Sequence, residues 1–403
     1  MIHTNYNFVS KSDYMRVAGP SWPSYDQFLS GVDIAESVYA EIDVMLMPVQ
    51  KFEPQAFCVL PFYGIEYPGN TPCCLLKKDS DLQLIKSQML SDQRPDACSA
   101  CWALEDVGIR SDRQIKNASI DLYLDRNLKD LVEDCQQGIY STVHYKIDTS
   151  NTCNATCITC GSYYSSAWAA LEKKNLQQPN PQFKILPSQT HQLINFSTAI
   201  SVSFRGGEPL LSRTNFYILE QLLEYNNSDC FVSFVTNGSI ELTDYQKHTL
   251  SKFKNVNFCF SIDGVGPVFE YLRYPLKWDQ LLKNVEYCKN NNIMSSASYT
   301  VSNLNVFYHA ETIKWFADHD INYHINPVYV PTYFQTSALP LELKTAIAEK
   351  NPDIAHLLNH HTKQDQQHYQ QFQNEIAKQD QWKNISMDNF LPEFTNQLKK
   401  FLI

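Results

Sequence analysis

Residues 143–328 alternate between strand-like and helix-like runs, and this alternation constrains the fold more than any other feature of the chain. The strand-like runs are Val143–Asp148, Ile200–Phe204, Phe231–Thr236, Val256–Ile262, Ser295–Val301 and Asn322–Val328. Helix-like runs separate them: Ser162–Lys173, Ser188–Phe196, Ser212–Tyr225, Thr243–Phe253, Trp278–Asn291 and Val306–Asp318. The pattern predicts an α/β fold, a parallel sheet with outer helices. It does not by itself separate a barrel of six units from an open doubly wound sheet.

Three cysteines follow the first of these strands within eight residues. Cys153, Cys157 and Cys160 have the spacing C-x₃-C-x₂-C. Thiolates this close on one loop can converge on one metal centre, and zinc and iron–sulfur clusters are the usual thiolate-rich centres. Most iron–sulfur clusters take four cysteines, so three ligands would leave one metal position open. A zinc loop, or three unconnected thiols, is the alternative interpretation.

This loop resembles the signature of the radical S-adenosylmethionine (SAM) enzymes, although the residue before the third cysteine, commonly aromatic there, is Thr159. The resemblance implies a partial (β/α)6 TIM-like barrel and a 4Fe-4S cluster held by Cys153, Cys157 and Cys160. The open iron would bind SAM, and an electron from the cluster would cleave SAM to methionine and a 5′-deoxyadenosyl radical. In α/β barrels, chemistry is carried out at the C-terminal ends of the strands.

The downstream strands end in short polar motifs that match the same family. Arg205-Gly206-Gly207-Glu208-Pro209 follows the second strand, and two glycines permit close backbone approach of a ligand. Taken alone, this motif and the later strand ends could be ordinary turns, and Arg273 could form a surface ion pair. The resemblance instead assigns the SAM ammonium to Gly206, Gly207 and Glu208, and the SAM carboxylate to Arg273. The other expected cofactor contacts are Asn237, Ser261, Asp263 and Val328.

A second set of cysteines precedes the barrel. Cys58, the adjacent pair Cys73 and Cys74, and the C-x₂-C of Cys98 and Cys101 could supply four thiolates, for zinc or for a fully cysteine-ligated cluster. We predict that Tyr63–Glu66 and Thr71–Leu76 form a hairpin. The segment resembles the twitch module, a SPASM-like module that holds an auxiliary 4Fe-4S cluster. Strand side chains alternate faces, so only one of the adjacent pair is expected to bind.

These features divide the chain into four predicted regions: an N-terminal arm (1–55), the twitch module (56–135), the partial barrel (136–335) and a C-terminal helical appendage (336–403). The last region is expected to be mostly solvated. Cys135, Cys230, Cys259 and Cys288 fall in strand or helix patterns and are predicted to be core thiols.

Composition excludes some classes of partner. The net charge is −10 over 403 residues, with no Lys/Arg-rich block, so extended contact with nucleic acid is not expected. The chain contains no apolar run of membrane-spanning length and no signal-peptide pattern, which predicts a cytoplasmic protein.

The family resemblance predicts a radical SAM oxidoreductase that abstracts hydrogen from an amino-acid side chain in a peptide. A small-molecule dehydrogenase acting on a sugar or cyclitol is the alternative within the same chemistry. A zinc-stabilised, non-catalytic binding protein is the rival from another class. A flavodoxin or ferredoxin is the expected electron donor.

Overall fold

The computed structural model describes residues 54–73, 75–76, 79–106, 111–114, 116–117, 127–177, 183–328, 330–358 and 365–400. The predicted N-terminal arm lies outside these ranges except for residues 54 and 55, and Cys74 lies outside them as well. Within the described ranges, no helix combines the length and apolar composition that a membrane span requires.

In the part of the chain that the structure describes, seven parallel strands form one sheet and lie side by side in chain order. Their bounds are β1 Gly64–Tyr67, β2 His144–Asp148, β3 Ser201–Arg205, β4 Phe231–Thr236, β5 Val256–Ser261, β6 Met294–Val301 and β7 Asn322–Pro327. A doubly wound sheet reverses its strand order at one point, whereas these described strands run in sequence. Right-handed crossovers then place the connecting helices on one face, which is the predicted partial barrel.

The first strand differs from the prediction. Gly64–Tyr67 pairs in parallel with β2, with Gly64 opposite His144. Within the described residues, which exclude Cys74, the predicted hairpin retains one antiparallel bridge, between Glu66 and Thr71. The prediction missed the main partner of β1, because turn residues after Tyr67 suggested a local partner, whereas β1 pairs with a strand that begins 80 residues later. Pairing with β2 gives the backbone N–H and C=O groups of β1 hydrogen-bond partners within the sheet.

Among the described residues up to 176, the helices are α1 Leu60–Tyr63, α2 Leu82–Leu90, α3 Ser99–Asp106, α4 Leu128–Gln136 and α5 Ser166–Leu176. Those between the later strands are α6 Thr190–Leu193, α7 Arg213–Glu224, α8 Asp244–Leu250, α9 Pro267–Leu272, α10 Trp278–Asn290 and α11 His309–Asp318. After β7 come α12 Leu341–Lys350, α13 Ala355–Leu358, α14 Asp365–Lys383, α15 Met387–Phe390 and α16 Pro392–Lys399. Short 3₁₀ turns lie at Asp96–Cys98, Pro187–Gln189, Pro209–Leu211, Val306–Tyr308, Thr332–Phe334 and Thr336–Ala338.

Helix starts follow local capping chemistry. Thr243 caps α8 in a capping box with Gln246. A 3₁₀ turn that begins at Pro187 precedes α6. The core-thiol prediction is confirmed, since four cysteines outside the two candidate metal sites are buried: Cys135, Cys230, Cys259 and Cys288.

The two faces of the sheet differ in polarity. Phe204, Phe234 and Phe258 lie opposite one another on β3, β4 and β5, with ring centroids 5.0 and 5.5 Å apart, and Phe216 of α7 packs on them. The opposite face carries polar side chains in register across five strands: Glu66, Lys146, Ser203, Ser233 and Asn257. TIM-barrel interiors are usually filled by branched apolar residues. This sheet instead turns a polar face away from its helices.

Helix α14 is more deeply packed than its Gln-rich composition predicts. Phe372, Ile376, Gln379 and Lys383 are buried and recur at helical spacing along one face. The expectation of a mostly solvated appendage is therefore wrong for this face. It contacts the C-terminal edge of the barrel, where the predicted site lies.

Candidate functional site

The three-cysteine loop (residues 149–165) connects β2 to α5 at the C-terminal edge of the sheet. Burial raises the pKa of Cys153 to about 11, and the neighbouring Cys157 thiol adds to this effect. Cys160 is the most exposed of the three. Even so, the protein atoms around its thiol, followed by the charges of Cys157 and Cys153, raise its pKa to about 12. Cys157 is therefore close enough to Cys153 and Cys160 for its charge to act on both thiols.

Backbone hydrogen bonds hold this loop against the segment that follows α9. The N–H of Thr156 donates to the Tyr274 carbonyl at 2.7 Å, and the N–H of Ile158 donates to the Leu272 carbonyl at 2.8 Å. Two alternate N–H groups of the loop are thereby fixed. The cysteines beside them are held in one conformation even though the loop has no regular secondary structure.

The glycine turn (residues 205–209) packs directly on the three-cysteine loop. The N–H of Gly207 donates to Ser150 at 3.0 Å, and that of Glu208 to Thr152 at 2.7 Å. A Cβ on Gly207 would lie 2.2 Å from the Thr152 carbonyl oxygen, and Gly206 has a φ of +93°. Both glycines are therefore required by the approach of the loop backbone. The approach of a ligand, which is the reason predicted from the sequence, is not needed to explain them.

Glu208 is buried with its carboxylate facing the ends of β3 and β4. One carboxylate oxygen accepts hydrogen bonds from the Leu210 N–H (3.1 Å) and the Thr236 hydroxyl (2.7 Å), and the other accepts from the Asn237 N–H (2.8 Å). Burial raises its pKa to about 7, although these hydrogen bonds oppose the shift. A carboxylate has about four acceptor positions, so one remains for a further donor.

Asn237 connects the end of β4 to the three-cysteine loop. Its side-chain N–H group donates to the Asn154 side chain at 2.9 Å, and its oxygen accepts from the backbone and hydroxyl of Ser239. The Asn154 amide also donates to the Ser239 hydroxyl. The predicted contact residue therefore fixes the loop in this structure.

Arg273 is buried beside the cysteines. Its Nε lies 2.7 Å from Asp263, and one of its terminal nitrogens lies 4.0 Å from the Cys157 sulfur. Burial disfavours the charged guanidinium, but Asp263 and Cys157 outweigh burial and raise the Arg273 pKa above its usual range. Asp263 also accepts the N–H of Thr300. Arg273 therefore forms a buried ion pair, and the surface ion pair considered from the sequence is wrong.

Ser261 and Val328 lie at the same edge of the sheet. Ser261 is the last residue of β5 and stands opposite Ser298 of β6. Val328 follows β7, and its N–H donates to the Val301 carbonyl at 2.9 Å. The structure therefore brings the cysteines, glycine turn, Arg273, Ser261 and Val328 to one end of the barrel.

Sequence reasoning missed the contribution of α14 to this site. The Gln379 amide donates to the Ile158 carbonyl at 3.1 Å, and the Trp168 indole N–H donates to the Cys157 carbonyl at 2.8 Å. Lys383 lies next to both Gln379 and Trp168. The apolar spacing of Phe372 and Ile376 marks the buried face, but no local signal identifies what that face covers.

Thr159 lines a separate cavity of about 210 Å³ between the three-cysteine loop and α14. Trp168, Tyr333 and Trp382 form aromatic parts of its wall, and Cys160 borders it. The loop therefore borders a cavity on the side that faces α14.

The second cysteine set also converges in the structure. Four thiols line one small, largely apolar cavity: Cys58, Cys73, Cys98 and Cys101. Burial, followed by the charges of Cys73 and Cys101, raises the pKa of Cys98 to about 12. The cavity measures about 30 Å³.

Arg113 organises the walls of this cavity. Its guanidinium forms two hydrogen bonds with Glu105, at 2.9 and 2.5 Å, and donates to the carbonyls of Gln55 and Phe57. It also lies 4.6 Å from the Trp102 ring. Phe57 precedes Cys58 and Trp102 follows Cys101, so one buried cation connects the two ends of the cysteine set.

The distance between cysteine sulfurs limits which metal or cluster either cysteine set could hold. Within the described residues, no three His, Cys, Asp or Glu side chains are close enough to hold one metal ion. Tetrahedral zinc with Zn–S bonds of about 2.3 Å requires sulfurs about 3.8 Å apart. A cluster binds each thiolate at a different iron and accepts wider spacing. A thiolate donor set is also the one iron–sulfur clusters use, so the loop residues fit that group.

No protein-family profile matches this chain. A curated relative, an uncharacterised protein of Methanocaldococcus jannaschii, is 27% identical over 180 residues. The match covers 43% of this chain and 57% of the length of that protein.

Among solved structures, anSMEcpe with bound AdoMet is 18% identical, with a TM-score of 0.39 over 52% of this chain and 59% of that one. SuiB of Streptococcus suis bound to S-adenosylmethionine is 14% identical, with a TM-score of 0.40 over 68% and 60%. The same protein bound to precursor peptide SuiA is 15% identical, with a TM-score of 0.39 and the same coverage. TM-scores of this size are too low to carry an inference to this chain.

Proposed function

We propose that this chain is a radical SAM enzyme with an iron–sulfur cluster on Cys153, Cys157 and Cys160. The observation that carries the proposal is the C-x₃-C-x₂-C loop itself, held at the C-terminal edge of a sequential parallel sheet. The buried cation Arg273 stands beside it. Three thiols leave a cluster one unligated metal position, which a reactive site requires.

The residues around the loop have distinct roles in this proposal. Glu208 retains one acceptor position for the SAM ammonium, and Arg273 supplies a cation for the SAM carboxylate. Ser261 and Val328 border the space for the rest of the nucleoside, while Asn237 and the glycine turn keep the loop in place. When bound, the cluster and SAM supply a 5′-deoxyadenosyl radical. The protein's part is to position the substrate hydrogen and to exclude water.

We propose an amino-acid side chain in a peptide as the substrate, with a sugar-type or cyclitol-type small molecule as the alternative. The polar face of the sheet, which carries Lys146, Ser203, Ser233 and Asn257, supports a substrate with hydrogen-bonding groups. A flavodoxin or ferredoxin would supply the electron.

Replacing Cys153, Cys157 and Cys160 together by alanine tests the reaction. The variant should form no 5′-deoxyadenosine from SAM under dithionite. A matched control replaces three core thiols, Cys230, Cys259 and Cys288, by alanine and should retain SAM cleavage if it folds. Continued cleavage by the loop variant would refute the proposal. Wild-type protein without iron and sulfide after anaerobic purification would favour the non-catalytic zinc protein.

For the second cysteine set we propose an auxiliary 4Fe-4S cluster in a twitch-type module. Changing Cys58, Cys98 and Cys101 to alanine should remove about half of the iron, because the two clusters would carry equal numbers. Uncoupled SAM cleavage should survive while substrate turnover falls. A single zinc ion is the second candidate, favoured by the small cavity of about 30 Å³. Bound zinc in protein made with abundant iron would decide for that candidate.

A further inference from the structure

The last turn of α14 places a buried lysine beside two side chains that hold the three-cysteine loop. Lys383 is 6% exposed. Its ammonium donates to the Gln379 side-chain oxygen at 2.8 Å and lies 4.5 Å from the Trp168 ring centroid. Gln379 and Trp168 are the same side chains that hold the carbonyls of Ile158 and Cys157. The position of the ammonium is therefore coupled to that of the loop.

This ammonium makes no ion pair with a carboxylate in the part of the chain that the structure describes. Its hydrogen-bond acceptor is a neutral amide. The nearest acidic groups are otherwise engaged, because Asp380 accepts from the Tyr271 hydroxyl and the Met387 N–H, and Glu375 pairs with Lys378. Burying a charge without a counter-ion is costly.

A thiolate-ligated cluster on the three-cysteine loop would supply the missing negative charge. Burial lowers the pKa of Lys383 to about 7, and the strongest opposing influence is the charge that Cys157 carries when it is deprotonated, ahead of Asp380 and Glu375. Cys160 acts in the same direction. A thiolate-ligated cluster at this position would carry more negative charge than isolated thiols, and more again when reduced.

We propose that Lys383 is a positioning residue of the three-cysteine loop, whose buried ammonium balances the charge of the cluster there and raises its reduction potential. This inference rests on the proposed function. A nearby cation stabilises the reduced, more negative form of a cluster more than the oxidised form. The effect is strong where the surroundings are dry, and charge and hydrogen bonding are established influences on cluster potentials.

Three variants of the full chain, reconstituted anaerobically with iron and sulfide, test the inference. Lys383→Met removes the charge at similar length, and Lys383→Arg retains it. Lys378→Met is the matched control, because Lys378 lies on the same helix over an aromatic ring but its side chain is 43% exposed. The measurement is an EPR-monitored potentiometric titration of the cluster whose signal changes on SAM addition.

Lys383→Met should lower the equilibrium constant for one-electron reduction at least tenfold, which corresponds to 59 mV. Lys383→Arg should restore most of the difference, and Lys378→Met should match the wild type. A wild-type potential in Lys383→Met, or an equal fall in Lys383→Arg, would overturn the inference and leave the proposed function intact. A wild-type chain without a SAM-responsive cluster would overturn the proposed function, and this inference with it.

Thermal unfolding provides a second measurement that does not depend on the potential. Lys383→Met should lower the melting temperature more in the iron-loaded chain than in the metal-free chain, because only the loaded chain contains the full counter-charge. An equal fall in melting temperature in the iron-loaded and metal-free chains would mean that Lys383 contributes only packing, and would contradict the inference.

Discussion

The buried carboxylate of Glu208 makes the stability of the metal-free protein depend on pH in a specific direction. Its pKa is raised from the ordinary 4.5 to about 7, chiefly by burial. The folded chain therefore binds this proton more tightly than the unfolded chain. The contribution of Glu208 to the unfolding free energy is fully present below pH 4.5 and is lost as the pH rises through 7.

The size of the effect follows from the two pKa values. Each pKa unit is worth about 1.36 kcal/mol, so the full cost of ionising Glu208 in the folded chain is about 3 kcal/mol. As the pH rises from 5 to 8, the Glu208 contribution to the unfolding free energy falls by about 2.5 kcal/mol, as the linkage relation predicts. In Glu208→Gln this dependence disappears. The variant also loses an acceptor for the Asn237 N–H, but that loss contributes at both pH values and cancels in the difference.

Urea unfolding of metal-free, fully reduced protein at pH 5 and pH 8 measures the effect. The difference in unfolding free energy between Glu208→Gln and wild type should change by about 2.5 kcal/mol in favour of the variant at pH 8. The same substitution at the exposed Glu241 is the control and should show no such change. A pH-independent difference for Glu208→Gln would mean that the carboxylate is ionised in the folded chain across this range.

Three further predictions concern packing and binding. Gly207→Ala should disrupt the three-cysteine loop and lower its iron loading, because the new Cβ would lie 2.2 Å from a backbone oxygen, whereas Gly161→Ala, with nothing within 4 Å, should load normally. Glu208→Ala should weaken SAM binding in a titration by about 1.5–3 kcal/mol, the range for hydrogen bonds to charged groups, without changing iron content. Phe258→Ala should lower the unfolding free energy by about 3–5 kcal/mol, since this ring is buried in the core; a loss below 1 kcal/mol in urea unfolding would contradict this packing role.

The sequence predicts most strands and helices of the barrel well because each β/α unit carries its own local signal. Runs such as Phe231–Thr236 are apolar, flanked by polar turns and followed by an amphipathic stretch, so their type follows from nearest neighbours. Strand β1 has only four residues, and its partner is far along the chain. The residues around a short strand do not indicate a partner that far along the chain. The proposed division of the chain into four regions stays a prediction.

At the site, the sequence predicts which motifs meet but not what they contact. The shared edge of parallel strands brings Cys153, Glu208 and Arg273 together, as their positions after successive strands imply. The sequence does not show that the glycine turn is occupied by the loop backbone, or that Asp263 already pairs with Arg273. It also does not show that Lys383, far from the loop in sequence, contacts the two side chains that hold the loop carbonyls. These facts depend on tertiary packing.

The pairing of β1 with β2 has a consequence during synthesis of the chain. Gly64 emerges 80 residues ahead of its partner His144. At about 5–20 residues per second, β1 waits about 4–16 s on the ribosome before the strand beside it exists. Over that interval Glu66 also lacks both cations that later neutralise it, Lys146 and Arg205. The cysteine-rich segment around β1 therefore cannot dock as a finished unit, and the start of the barrel is completed only after translation has passed the second strand.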